Sequence, residues 1–136
     1  MRSIGIDLGT TNSVVAIIDD SGKPQVLVNA EGGRLTPSAI AVTESGSQIV
    51  GEAARREASK HPDRVALSVK RKMGTSTQIP LAGEQWTPER LSAAILTKLV
   101  ADATARIDGP PSGVVITVPA YFDDAQRKAT KEAADL

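Results

Sequence analysis

A strand, a glycine turn and a second strand open this chain and constrain most of what can follow. Ile4, Ile6 and Leu8 alternate with Ser3, Gly5 and Asp7, the two-residue period of a strand. Residues 14–18 form an unbroken apolar run, which suits a strand buried on both faces. Gly9-Thr10-Thr11-Asn12 lies between them as a tight turn. Asp19-Asp20-Ser21-Gly22 makes a second turn and 25–28 a third strand, so the opening is predicted as an antiparallel meander.

Glu31-Gly32-Gly33-Arg34 breaks the pattern. Two short strands are expected at 39–43 and 48–50, then short helices at 52–59, stopped before Pro62, and at 66–72, stopped at Gly74. Residues 75–85, with Pro80 and Gly83, read as a loop or a small hairpin. The clearest helix starts at Thr87-Pro88, an N-cap followed by a residue suited to the first helical position. Leu91, Ile95, Leu99, Ala103 and Ile107 recur every fourth residue, while Lys98, Asp102 and Arg106 form a charged ladder on another face. Twenty residues of helix span about 30 Å. Asp108-Gly109-Pro110-Pro111 ends it, and 114–118 is another buried-type strand closed by Pro119. Asp123 caps a last helix with Gln126 as reciprocal partner. That helix is still running at Leu136 without a stop signal, which reads as a truncation.

The 136 residues suffice for one core. Sixteen basic and sixteen acidic residues leave no whole-chain basic footprint, so no nucleic-acid partner is expected. Without cysteine there are no disulfides or thiolate metal sites, and the single histidine, His61, reads as solvent-exposed. Trp86, Tyr121 and Phe122 are the only aromatic residues, so the core must be aliphatic. No apolar run approaches the roughly 20 residues that span a bilayer, and Asp7 interrupts any leader-like segment. A soluble cytoplasmic protein with no membrane association is the simplest expectation.

The turn at 9–12 carries the chemistry. Gly9 permits a left-handed or closely approached backbone. The amides of Thr10, Thr11 and Asn12 can converge on an anion, and the threonine hydroxyls add donors. A carboxylate at Asp7 would repel phosphate unless a cation lay between them, and magnesium, bound partly through water, fits that role. The residues alone leave an ordinary polar hairpin open. The turn lacks a Walker ending and is not a dinucleotide fingerprint.

Gly5-Ile6-Asp7-Leu8-Gly9-Thr10-Thr11-Asn12-Ser13 resembles the first phosphate motif of the actin-like ATPase superfamily, and its Thr-Thr-Asn-Ser ending is similar to the DnaK-type heat-shock protein 70 chaperones. Asn29-Ala30-Glu31-Gly32, Thr36-Pro37-Ser38, Val50-Gly51, Val69-Lys70-Arg71 and Met73-Gly74 follow in that family's order. Ile116-Thr117-Val118-Pro119-Ala120-Tyr121-Phe122 and Asp124-Ala125-Gln126-Arg127 are close to a family signature.

The resemblance implies an α/β actin-like (ribonuclease H-like) ATPase fold, first lobe only, with a mixed sheet and flanking helices. Residues 1–37 and 86–136 would form an incomplete inner subdomain and 38–85 a small outer one. It implies ATP or ADP with Mg2+ as ligands, and phosphate contacts from Gly9, Thr10, Thr11 and Asn12. Asp7 would be the metal-side carboxylate, Lys70 the catalytic lysine, and Pro119 and Arg127 an interdomain relay. Without the resemblance, Lys70 reads as a solvated lysine, Pro119 as a strand-ending proline and Arg127 as an exposed arginine. For the full-length protein it implies a stress-response chaperone whose nucleotide state controls binding of unfolded polypeptides. A J-domain co-chaperone and a nucleotide exchange factor would be its partners. Another actin-like ATPase (a filament protein or a sugar kinase) and a stand-alone interaction module are the competing readings. With later motifs absent, this chain alone is expected to bind ATP weakly and to be inactive. Its uncovered sheet is expected to favour association or marginal stability.

Overall fold

The structure, a computed structural model, describes residues 3–68, 74–75, 77–117 and 122–135. The opening meander forms as expected. Strand β1 (Ser3–Leu8) pairs antiparallel with β2 (Asn12–Ile18), which pairs antiparallel with β3 (Pro24–Val26). A two-residue strand not foreseen from sequence, β4 (Thr36–Pro37), joins the same edge of β2 closer to the turn, opposite Ser13 and Asn12. The chain then leaves this sheet at Ser38 and builds a second one. There β5 (Ala39–Val42) lies between β6 (Gln48–Val50) and β7 (Val65–Leu67). Helix α1 (Glu52–Glu57) and a 3-10 turn (Pro62–Arg64) link β6 to β7. The segment before the long helix is a hairpin of β8 (Ile79–Leu81) and β9 (Glu84–Trp86). Ala82 and Gly83, at φ 52° and 85°, supply the two positive-φ positions of a tight hairpin turn. Helix α2 (Pro88–Ile107), strand β10 (Gly113–Thr117) and helix α3 (Asp124–Asp135) complete the order. Strand β10 pairs parallel with β1, so the first sheet is mixed and runs β10-β1-β2-β3.

The α2 stripe buries as its period predicts. Leu91, Ile95, Leu99 and Ala103 join Ile4, Ile6, Leu8, Val15 and Ile17 in one core cluster. The helix packs against β1 and β2 of the first sheet and against β5 and β6 of the second, while α3 packs on α2. One core therefore serves both sheets, with Ile40 and Ala66 reaching it from the second. Trp86 is buried and the Arg90 guanidinium stacks 3.7 Å from its ring centroid, so the tryptophan closes the base of α2 as a packing residue.

Two expectations need correction. The helix expected at 66–72 does not begin there, because Val65, Ala66 and Leu67 pair with Ala41, Ile40 and Ala39. The open edge of β5 supplies partners that local propensity cannot anticipate, and burial alternates with a two-residue period through these residues. Residues 69–73 lie outside the described ones. Among the described residues, the apolar runs expected at 14–18 and 114–118 are not buried on both faces. Val15 and Ile17 face the core, but Ile18 is 61% exposed, Val115 64% and Val114 42%. The side of the sheet carrying Gly5, Ala16 and Val115 faces away from α2. Among the described residues, no helix is long and apolar enough to cross a membrane.

Thr87 caps α2, its hydroxyl oxygen accepting the Arg90 amide at 3.1 Å. Thr87→Ala should lower stability by about 1 kcal/mol in denaturant titration without changing the slope of the transition.

Candidate functional site

The turn at 9–12 sits where β1 ends and β2 begins. Gly9 is needed for close approach rather than for a left-handed conformation. A Cβ placed there would collide with the Asn12 carbonyl oxygen. The two strands are thus drawn together by a bend only glycine can make. Around it, Thr10 and Asn12 are half-buried and Thr11 is exposed.

The carbonyls of the turn point inward. The Ser38 hydroxyl donates to the Gly9 carbonyl at 2.8 Å, and the Ser38 amide donates to the Thr11 carbonyl at 2.9 Å. In a trans peptide the carbonyl and the next N–H point opposite ways, and no peptide bond here is cis. The amides of Thr10 and Asn12 are therefore turned away from Ser38, which is the arrangement an anion-binding turn requires. Sequence reading missed Ser38 and its buried neighbour Ser13 as site residues. The only signal for Ser38 was its place after Thr36-Pro37 in a motif the resemblance had already picked out.

Asp7 stands on the exposed face of β1, opposite in register to Thr117 of β10. The Thr117 hydroxyl lies 3.1 Å from Asp7 Oδ1 and 3.4 Å from the Ile6 carbonyl, so the shorter and better bond orients the carboxylate. Thr117 was also missed, because a parallel partner over a hundred positions away leaves no local trace. One oriented, exposed carboxylate beside a phosphate turn suits a magnesium ion held largely through water rather than in a protein cage. Among the described residues no group of three or more His, Cys, Asp or Glu gathers to form such a cage.

Beyond the turn, a loop at 29–35 is fastened from both sides. Asn29 is buried, and its side chain uses every donor and acceptor direction. Its Oδ1 accepts from the amides of Glu31 (3.1 Å) and Gly33 (2.8 Å), while its Nδ2 donates to the Leu35 carbonyl and to Thr36 Oγ1, both at 3.1 Å. The charged ladder of α2 clasps this loop instead of facing open solvent. Lys98 Nζ lies 2.6 Å from Asp102 and 2.9 Å from Glu31, and Arg106 donates to the carbonyls of Val28 and Asn29. Burial alone would lower the Lys98 pKa, but the hydrogen bonds that Lys98 donates to Asp102 and Glu31 outweigh it and hold it above its usual 10.5. Asn12, Glu31, Leu35, Pro37, Glu52 and Arg55 share a groove of about 320 Å³ between this loop and α1.

The remaining sequence-derived candidates are not gathered here. Lys70 and Pro119 lie outside the described residues. Arg127 is exposed on the first turn of α3, with its amide bonded to the Asp123 carbonyl. The reciprocal cap read from sequence forms, Asp123 and Gln126 exchanging backbone-to-side-chain bonds of 2.9 and 2.8 Å. Gly74, at φ 79°, meets this cap so closely that a Cβ would lie 3.0 Å from the Gln126 amide nitrogen. Gly74 therefore abuts the start of the helix that carries Arg127.

Three substitutions test this geometry. Gly9→Ala should destabilise the protein by about 1–3 kcal/mol through overpacking of the turn. Gly5→Ala should be tolerated in the same melts, because its Cβ would meet only the Ala16 carbonyl oxygen, at 3.9 Å. Lys98→Met should cost about 1 kcal/mol near neutral pH, leaving Asp102 and Glu31 without their cation. A raised lysine pKa stabilises fully below the unfolded value and loses that effect as pH rises through the folded one. The gap between wild type and Lys98→Met should therefore stay constant up to about pH 10 and close above it, as read by denaturation at stepped pH.

The family model described as "Hsp70 protein" matches residues 3–81 and 75–136. The chain is 52% identical over 130 residues to proteins named "Chaperone protein DnaK" from Thermotoga neapolitana, Thermotoga petrophila and Thermotoga sp. strain RQ2. In each case 96% of this chain is covered, and it spans 22% of the relative's length. The mixed sheet and its helices correspond to part of the first lobe of an actin-like ATPase fold, and the chain belongs to the Hsp70 family.

Proposed function

We propose that this chain is part of the ATP-binding and hydrolysing domain of a DnaK-type chaperone. In the full-length protein, nucleotide state would control the binding of unfolded polypeptides. The observation that carries the reading is the turn at 9–12, whose carbonyls are tied inward and whose amides of Thr10 and Asn12 face the other way, next to an oriented Asp7. These amides and the hydroxyls of Thr10 and Thr11 donate to the phosphate oxygens of ATP or ADP. Asp7 would be the residue that holds Mg2+, bound partly through water, and the ion would offset the phosphate charge. Lys70 brings an ammonium to the terminal phosphate, where it stabilises developing charge and orients the attacking water. Pro119 and Arg127 relay nucleotide state toward the client-binding part.

The subdomain division proposed is 1–37 with 86–136 inside and 38–85 outside. It is supported by the passage of the chain from one sheet to the other at Ser38. A J-domain co-chaperone and a nucleotide exchange factor are the proposed partners, and a stress-related role in the cytoplasm the proposed setting. Relatives at 52% identity do not favour a filament protein, a sugar kinase or a stand-alone interaction module.

The full-length protein should hydrolyse ATP, and Lys70→Ala should slow single-turnover hydrolysis by on the order of a hundredfold. The 136-residue chain alone should show no micromolar heat of ATP binding in calorimetry. Saturable micromolar binding by that chain would overturn the expectation that it binds ATP weakly alone, and a fully active Lys70→Ala protein would contradict the role given to Lys70.

A further inference from the structure

We propose that Ser38 is a positioning residue that sets the phosphate turn and couples its shape to the second sheet. The proposal rests on reading the turn at 9–12 as the phosphate site, and it adds a regulator to that site. Any turn that offers amides to an anion must send its carbonyls the other way, into protein, where each needs a donor. Ser38 supplies both donors, its hydroxyl to Gly9 and its amide to Thr11. Because its single hydroxyl proton goes to Gly9, the buried 2.9 Å contact between Ser13 and Ser38 must run from Ser13 to Ser38. The result is a directed chain from the Ser13 hydroxyl through Ser38 to the Gly9 carbonyl. Its two serines are 0% and 4% exposed, so water cannot replace either donor.

Ser38 is also the residue at which the chain changes sheets. Pro37 before it pairs with Asn12 in the first sheet, and Ala39 after it pairs with Leu67 in the second. The Ala39 carbonyl further accepts the Gly51 amide at the start of α1. A shift of the second sheet therefore pulls on the residue that holds two carbonyls of the turn. Linkage then requires the converse, that phosphate on the turn favours one placement of the second sheet.

Calorimetry on the full-length protein with MgADP and with adenosine tests this. Ser38→Ala should weaken MgADP by about tenfold or more while adenosine affinity stays within about twofold, since only the phosphate contacts are misaligned. Ser13→Ala should show a smaller loss of the same kind, and Ser38→Thr, which keeps the hydroxyl, should recover most of it. In hydrogen exchange, MgADP should slow the amides of β5 and β7 in wild type, and in Ser38→Ala the protection should stop at the turn. An unchanged MgADP affinity, or parallel losses for MgADP and adenosine, would overturn the positioning role. Equal protection of β5 and β7 in both proteins would overturn the coupling. A wild-type protein that binds adenosine but gains nothing from the phosphates would instead remove the phosphate-turn reading on which the inference stands.

Discussion

Everything in this molecule is referred to the contact between β1 and α2. Ile4 and Ile6 are each 1% exposed and Leu8 3%, and they share a core with Leu91, Ile95 and Leu99 of the helix. Fully burying each such side chain is worth roughly 1.5–3 kcal/mol, so this seam outweighs any hydrogen bond near the site. Because α2 also lies on β5 and β6, one rigid helix is the common reference for both sheets. The end of β1 is thereby fixed in space. The turn that follows, and Asp7 on the opposite face of the strand, inherit that fixed position.

The parts legible in the sequence are those whose signal is local. The alternation of Ile4, Ile6 and Leu8 announced β1, the fourfold spacing from Leu91 to Ile107 announced α2, and the Asp123–Gln126 pair announced the cap of α3. Each depends on residues within a few positions, where backbone period or capping geometry dictates the choice. What stayed hidden depends on distant chain. Val65 to Leu67 is a strand only because β5 has an open edge. Thr36 and Pro37 form one only because β2 extends past β3 at that end. The same reasoning explains the site. Gly9 and Asp7 could be singled out by residue type, but Ser38 and Thr117 looked like ordinary small polar residues. Their importance lies in partners 29 and 110 positions away.

The distribution of buried polar groups points the same way. Among the described residues, the buried polar side chains are Ser13, Asn29, Thr36, Ser38, Ser92 and Thr130. The first four are linked near the turn, where Asn29 binds Thr36, Thr36 pairs with Ser13, and Ser13 binds Ser38. A core that needed only stability would place aliphatic groups there, since a buried polar group costs free energy unless every bond is made. These bonds are made, and they are made by short side chains with few rotamers, which fix direction at small entropic cost. Polar satisfaction is thus concentrated where the chain passes from one sheet to the other and where the turn must present its amides. The aliphatic seam supplies rigidity, and the serine–asparagine–threonine cluster beside it supplies orientation. An anion-binding turn needs both, because an amide aimed a few tens of degrees away from a phosphate oxygen forfeits most of its hydrogen bond.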